Sequence, residues 1–192
     1  RRQRQMCIRD RVGGRQFGGQ KLLNRCLTPR QPGSSIKPLA VYGAALQKSY
    51  ELAGRGKKWP FIDFGIDNQG SKGWGDYVTV HSSIQDEKCH IENRDWPENV
   101  TRSYSGKNTF KTAIQKSINT CAVKILAQVG VEYSIETLKE FGLTTIVDDT
   151  SLPSNDVNLA ALGLGAMTEG VTPLEMSLAY AAFPNGGVVN SG

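Results

Sequence analysis

Pro38 constrains this chain more than any other single residue. Its ring fixes φ and it has no N–H to donate, so a helix tolerates it only close to the N-terminus. The apolar residues around it, Ile36, Leu39, Ala40, Tyr42, Gly43 and Leu46, recur at helical spacing. They predict a helix over residues 35–52, and Pro38 ties its start to Ser34. The tetrapeptide Ser34-Ser35-Ile36-Lys37 then lies on the first turn. Residues three apart share one helix face, so the Lys37 amine can approach the Ser34 hydroxyl. A serine becomes a nucleophile beside a base, and a lysine can serve when burial or a neighbouring cation strips its proton. The helix N-terminus adds backbone N–H groups and the positive dipole end, both suited to a developing oxyanion. By itself the spacing is weak, since S-x-x-K arises by chance about once in a couple of hundred residues at ordinary composition. A capping serine and a surface lysine would look the same.

A second helical region begins after Lys107. Thr109 is placed to cap a helix reaching Lys116, with Phe110, Ala113 and Ile114 on its apolar face. Ser117-Ile118-Asn119 breaks it, and a further helix is expected over 120–129, stopped by Gly130. Ser134 is expected to cap the next, with Ile135, Leu138 and Phe141 inward and Gly142 at its end. Thr172-Pro173-Leu174-Glu175 reads as a capping box with proline at the first helical position, opening a helix that ends near Phe183. Residues 54–107 carry weak periodicity, with one short strand expected at Tyr77–Val80. Asn99-Val100-Thr101 fits a glycosylation triplet but carries no weight, because such triplets are common by chance. Ser117 and Asn119, a hydroxyl and a carboxamide on one loop, can both face a cleft, although such residues also favour ordinary turns.

Charge excludes one class of function. The net charge of +5 resides in residues 1–15, which hold six arginines and one aspartate, and the remainder is neutral. Nucleic-acid binding needs a basic stripe on the folded body. Residues 1–11 have neither helix nor strand period and read as a non-native or disordered basic stretch, leaving 12–192 as one partial domain. No apolar run approaches the length of a membrane span. The four cysteines, Cys7, Cys26, Cys89 and Cys121, are widely spaced with no C-x-x-C, which disfavours zinc, and Cys121 is expected as a small buried helix residue.

Taken together, S-x-x-K followed by S-x-N resembles the motif set of the penicillin-binding proteins and serine β-lactamases. The surroundings are similar to the class A, bifunctional penicillin-binding proteins: Leu23-Asn24-Arg25, Arg30 to Pro38, Ala113 to Thr120 with Ala122-Val123-Lys124, then Gly170 to Met176, Ala179-Tyr180 and Asn185-Gly186-Gly187. Two departures are Gln16, where an aspartate often stands, and the arginine-rich stretch in place of a strand before Val12. The third motif, Lys-Thr-Gly or Lys-Ser-Gly, does not occur in these 192 residues. The resemblance implies an α+β fold, of which this fragment holds mainly the helical part and lacks most of the antiparallel sheet.

The resemblance further implies a serine D,D-transpeptidase that cross-links peptidoglycan stem peptides through an acyl-enzyme and binds β-lactams, with this fragment inactive as it stands. Ser34 would be the nucleophile and Lys37 the base. Ser117 would relay a proton, and Asn119 would hold the stem peptide and orient Lys37. No metal or cofactor is implied. It places the enzyme at the outer face of the cytoplasmic membrane, anchored through segments outside this chain, with a glycosyltransferase domain upstream. The alternatives are a β-lactamase or β-lactam sensor of the same superfamily, and a non-catalytic cell-wall or partner-binding module.

Overall fold

The computed structural model describes residues 25–61, 74–91 and 94–189. The basic stretch 1–11 and the Leu23-Asn24 part of the resemblance lie outside them.

The expected first helix forms as a succession of three geometries. A 3₁₀ turn, Gly33–Ile36, leads into a π-helical turn, Pro38–Gly43, and then into helix α1, Ala44–Gly54. Pro38 cannot donate, and the ladder loosens just past it: the Ala44 N–H reaches back five residues to Leu39. Gly43 closes the wide turn, where a Cβ would lie 2.8 Å from the Pro38 carbonyl oxygen. Ile36, Leu39, Ala40 and Val41 have no exposed surface.

The strand expected at Tyr77–Val80 is absent. The Ser49 hydroxyl takes the Val78 N–H at 2.8 Å and the Ser82 hydroxyl takes that of Thr79 at 2.9 Å, so side chains satisfy this backbone before a ladder can. Strand β1, Ser83–Asp86, starts three residues later. Strands β2, His90–Ile91, and β3, Arg94–Asp95, pair with each other, and β4, Gly106–Thr109, returns antiparallel to β1 with Ser83 opposite Thr109. These two small ladders are the sheet content of the described residues.

Helix α2, Phe110–Gln115, is capped by the Thr109 hydroxyl as expected. Helix α3, Asn119–Val129, is the centre of the molecule, and every residue from Thr120 to Val129 is buried. It packs against α1, the π turn, α4 and α5. Cys121 lies within it, fully buried. Both its ends are held by side chains from elsewhere. Lys48 donates to the Val129 carbonyl at 2.6 Å, with its ammonium over the rings of Trp59 and Tyr133. The other end is described below.

Helix α4 runs Val131–Glu140, so Ser134 is not its cap; Gly130 is, at φ 92°. Ser134 is instead buried on the inner face, and its hydroxyl bonds the Ala40 carbonyl of the π turn at 2.7 Å. The irregular turn thus gains a partner from α4. Helix α5, Leu159–Leu164, is capped by Asn158 and stops at left-handed Gly165. Helix α6, Pro173–Ala181, begins with the expected capping box and stops at Ala181, two residues before the expected end near Phe183. Glu175 of the box also accepts the Thr144 N–H and hydroxyl, tying the loop after α4 to α6. No helix among the described residues is long and apolar enough to cross a membrane.

Candidate active site

The segment carrying Ser34 is gripped from the α5–α6 side. Arg30 and Val171 exchange both backbone hydrogen bonds at 2.9 Å, and the Gln31 side chain donates to the Met167 carbonyl. Gly165 and Gly170 sit at positive φ against this segment. A Cβ on Gly165 would overlap the backbone of Gly33, and one on Gly170 that of Arg30. From α6, the Tyr180 hydroxyl donates to the Ser35 carbonyl at 2.7 Å. The 3₁₀ turn is therefore fixed on one side and open on the other, where Ser34 is exposed.

In 3₁₀ geometry side chains three apart eclipse, and the Lys37 N–H bonds the Ser34 carbonyl. Ser34 and Lys37 thus project from the same side of the turn. Lys37 runs inward, with 1% of its surface exposed. Its ammonium donates to the Asn119 Oδ1 at 2.6 Å, the Ser117 carbonyl at 2.9 Å and the Ser117 hydroxyl at 3.2 Å. The structure brings Lys37, Ser117 and Asn119 into direct contact across 80 residues of sequence. It does not join Ser34 to them by a hydrogen bond: among the described residues the Ser34 hydroxyl has no partner.

Desolvation dominates the electrostatics here. Burial lowers the Lys37 pKa from its ordinary 10.5 to about 8, and only an ionised Cys121 would act in the opposite sense. Burial also pushes Cys121 itself up to about 12, so at neutral pH it is a thiol and lends Lys37 no negative charge. A lysine at about 8 has an appreciable neutral fraction near physiological pH, and neutral amine is what a base requires.

Ser117 adopts φ +53°. The reason is the end of α2. The Ser117 N–H bonds Ile114 at 3.1 Å and the Ile118 N–H bonds Ala113 at 3.0 Å, the two bonds of a Schellman termination. Glycine ordinarily fills that left-handed position, and serine there costs about 1–2 kcal/mol. The strained turn directs both the carbonyl and the hydroxyl of Ser117 at Lys37, which glycine could do only with its carbonyl.

Sequence reasoning missed the groups behind this cluster. Asp86, Asn99 and Thr120 are buried beside it. The Asp86 carboxylate accepts from Thr120 Oγ1 at 2.5 Å, Ser105 N at 2.7 Å, Ser105 Oγ at 2.8 Å and Asn99 Nδ2 at 2.8 Å. Burial raises its pKa, but the four bonds to its charged form prevail and hold it below the ordinary carboxylate value. Local sequence gave no sign of these contacts, and the Asn99 triplet pointed elsewhere. A pocket of about 190 Å³ is lined by Asp86, Asn99, Val100, Ser105, Ser117 and Ile118, among others. A larger, apolar pocket of about 410 Å³ between Tyr42, Leu46, Val80 and Phe110 shares no residue with the cluster.

The penicillin-binding protein transpeptidase domain family matches residues 65–191, a span that takes in Ser117 and Asn119. Among curated proteins, penicillin-binding protein 1A of Clostridium botulinum (strain Langeland) is 30% identical over 183 residues, covering 94% of this chain and 19% of that protein. Penicillin-binding protein 1F of Bacillus subtilis is 32% identical over 176 residues, covering 92% and 19%. Among solved structures, penicillin-binding protein 1A from Haemophilus influenzae superposes with a TM-score of 0.61 at 28% identity, covering 87% of this chain and 20% of that one. An imipenem acyl-enzyme of penicillin-binding protein A from M. tuberculosis gives 0.61 at 18% identity over 98% of this chain, a likeness of fold. The chain spans about a fifth of the length of the curated relatives it matches.

Proposed function

Because the chain belongs to the penicillin-binding protein transpeptidase family, we propose that it carries the serine half of a peptidoglycan cross-linking site, with Ser34 as the nucleophile. The observation that carries this reading is the buried Lys37 amine, lowered to about 8 and held by Ser117 and Asn119 one turn from an exposed serine.

The chemistry follows from those groups. Neutral Lys37 takes the Ser34 proton as Oγ bonds the carbonyl carbon of a D-Ala-D-Ala peptide. The C–N bond breaks, and the proton returns through the Ser117 hydroxyl to the departing D-Ala amine. An amine of a second strand then attacks the ester, forms the cross-link and restores the Ser34 hydroxyl. Asn119 keeps Lys37 aligned and offers the stem peptide a polar contact. A β-lactam would enter by the same attack and remain as a stable ester, the state named for the imipenem-bound neighbour. The Ser34 N–H would supply one oxyanion donor, with the second on a strand carrying Lys-Thr-Gly. That motif is not among these residues, so the chain alone would acylate slowly or not at all. The reaction would take place on the outer face of the cytoplasmic membrane.

Fluorescent penicillin tests this on the chain, on a form extended through a Lys-Thr-Gly strand, and on Ser34→Ala versions of each. The expected result is a label on the extended form that the substitution abolishes. An extended, folded form that takes no label would end the transpeptidase reading.

A further inference from the structure

We infer that Asn99 is a positioning residue for this site, clamping the first turn of α3 so that Asn119 faces Lys37. The clamp rests on the reading of Lys37 and Asn119 as parts of the machinery, but its geometry stands independently.

The first N–H groups of any helix lack partners within it. For α3 the residue at the cap position is Ile118, whose side chain can accept nothing. Asn99 fills that role from 20 residues away. Its Oδ1 accepts from Asn119 N at 3.0 Å and from Thr120 N at 3.3 Å. Its Nδ2 donates to Asp86 Oδ1 at 2.8 Å and to the Ser103 carbonyl at 3.0 Å. Asn99 is buried, with 6% of its surface exposed.

The orientation of the amide is dictated. An ionised carboxylate only accepts, so Asn99 must turn its NH₂ toward Asp86. That leaves its oxygen for the helix. Asp86 is anchored in turn by Thr120 and Ser105. The neighbouring Glu98 carbonyl accepts from Asn119 Nδ2 at 2.8 Å. Glu98 and Asn99 together therefore fix the backbone and the amide of Asn119, and the remaining Oδ1 of Asn119 points at the Lys37 ammonium. A displaced first turn would take this acceptor away from Lys37 without touching Ser34, Lys37 or Ser117.

The donor–acceptor logic permits a reciprocal test. Asn99→Asp sets two carboxylates against each other. Adding Asp86→Asn restores that one donor–acceptor pair with roles exchanged: the new amide faces the new carboxylate, its oxygen faces Ser105, and the Thr120 hydroxyl turns to accept; the Ser103 carbonyl alone loses the donor that Asn99 Nδ2 supplied. In the form that labels with fluorescent penicillin, Asn99→Asp should lower the acylation rate constant about tenfold or more, the final labelled fraction staying that of wild type. The double exchange should recover part of that loss, labelling faster than Asn99→Asp alone, the remaining deficit reporting the Ser103 contact; a double variant no faster than the single one would overturn the reciprocal pairing. In the chain itself, hydrogen exchange at the Asn119 and Thr120 amides should speed up about tenfold in Asn99→Ala, with amides from Val123 to Val129 unchanged. A lower labelled fraction at an unchanged rate constant would reduce Asn99 to a folding residue and overturn the inference. So would unaltered exchange at those two amides. If wild type takes no label, the transpeptidase reading falls and the exchange rates alone decide the clamp.

Discussion

Replacing Lys37 by methionine should change how stability depends on pH, and the size of the change follows from burial. In the unfolded chain Lys37 titrates near its ordinary 10.5, and in the folded chain near 8. Between those values the unfolded chain holds a proton that the folded chain has released. Stability contributed by this group therefore rises with pH across that window, and the full penalty of burying the ammonium is present at pH 7 and below. The difference of pKa corresponds to about 3 kcal/mol. Methionine has similar length and no charge, and it leaves the Ser117 carbonyl and Asn119 Oδ1 short of a donor. That loss is the same at every pH, so only the slope reports the charge. Other groups titrate here too. Lys48 is also lowered by burial, while Cys121, Tyr42 and Tyr133 are raised by burial, so that their contribution falls as pH rises above their ordinary values. These act in both proteins and cancel in the comparison. Urea unfolding at pH 7, 8, 9 and 10 should show wild type gaining on Lys37→Met by roughly 2–3 kcal/mol across the series. A gap constant to within about 1 kcal/mol would refute the claim that Lys37 is buried as a reluctant cation.

Two further substitutions separate architecture from chemistry. Ser117→Gly relieves the left-handed backbone at the end of α2 and should raise stability by about 1 kcal/mol while slowing penicillin acylation, read by urea unfolding and labelling rate together. Because the substitution also removes the Ser117 hydroxyl from Lys37, the strain is read against Ser117→Ala, which loses the same bond and keeps the Cβ; a glycine variant no more stable than the alanine one would show the turn to be unstrained. Gly165→Ala forces a Cβ into the Gly33 backbone at positive φ, and should cost about 3 kcal/mol and displace the turn bearing Ser34. Near-normal melting and labelling would mean the α5–α6 segment does not position Ser34.

The sequence was most readable where one residue type carries the geometry. Pro38 placed the start of the first helix correctly, Thr172-Pro173-Leu174-Glu175 forms the expected capping box, and Gly130 ends α3. It was least readable where a polar side chain had two uses. Ser134 looks like a cap but bonds a carbonyl inside the core, and the β-branched run near Val78 lost its strand to two serine hydroxyls. Helix α5 went unforeseen because Leu159–Leu164 is almost wholly apolar and too short to display a period. Spacing and resemblance singled out Lys37, Ser117 and Asn119, which the structure brings into contact, and Ser34, which remains the proposed nucleophile one turn away. Asp86 and Asn99 were not, since their partners lie 13, 20 and 34 residues away and only the folded chain assembles them.

Ser34, activated by Lys37, is the group proposed to form the covalent bond. Peptide mapping by mass spectrometry after penicillin treatment of the extended form tests it most directly. One adduct is expected, of the mass of the intact antibiotic, on the peptide containing Ser34, lost in Ser34→Ala and strongly reduced in Lys37→Met. An adduct on Ser117 or elsewhere, or one that survives Ser34→Ala, would contradict it.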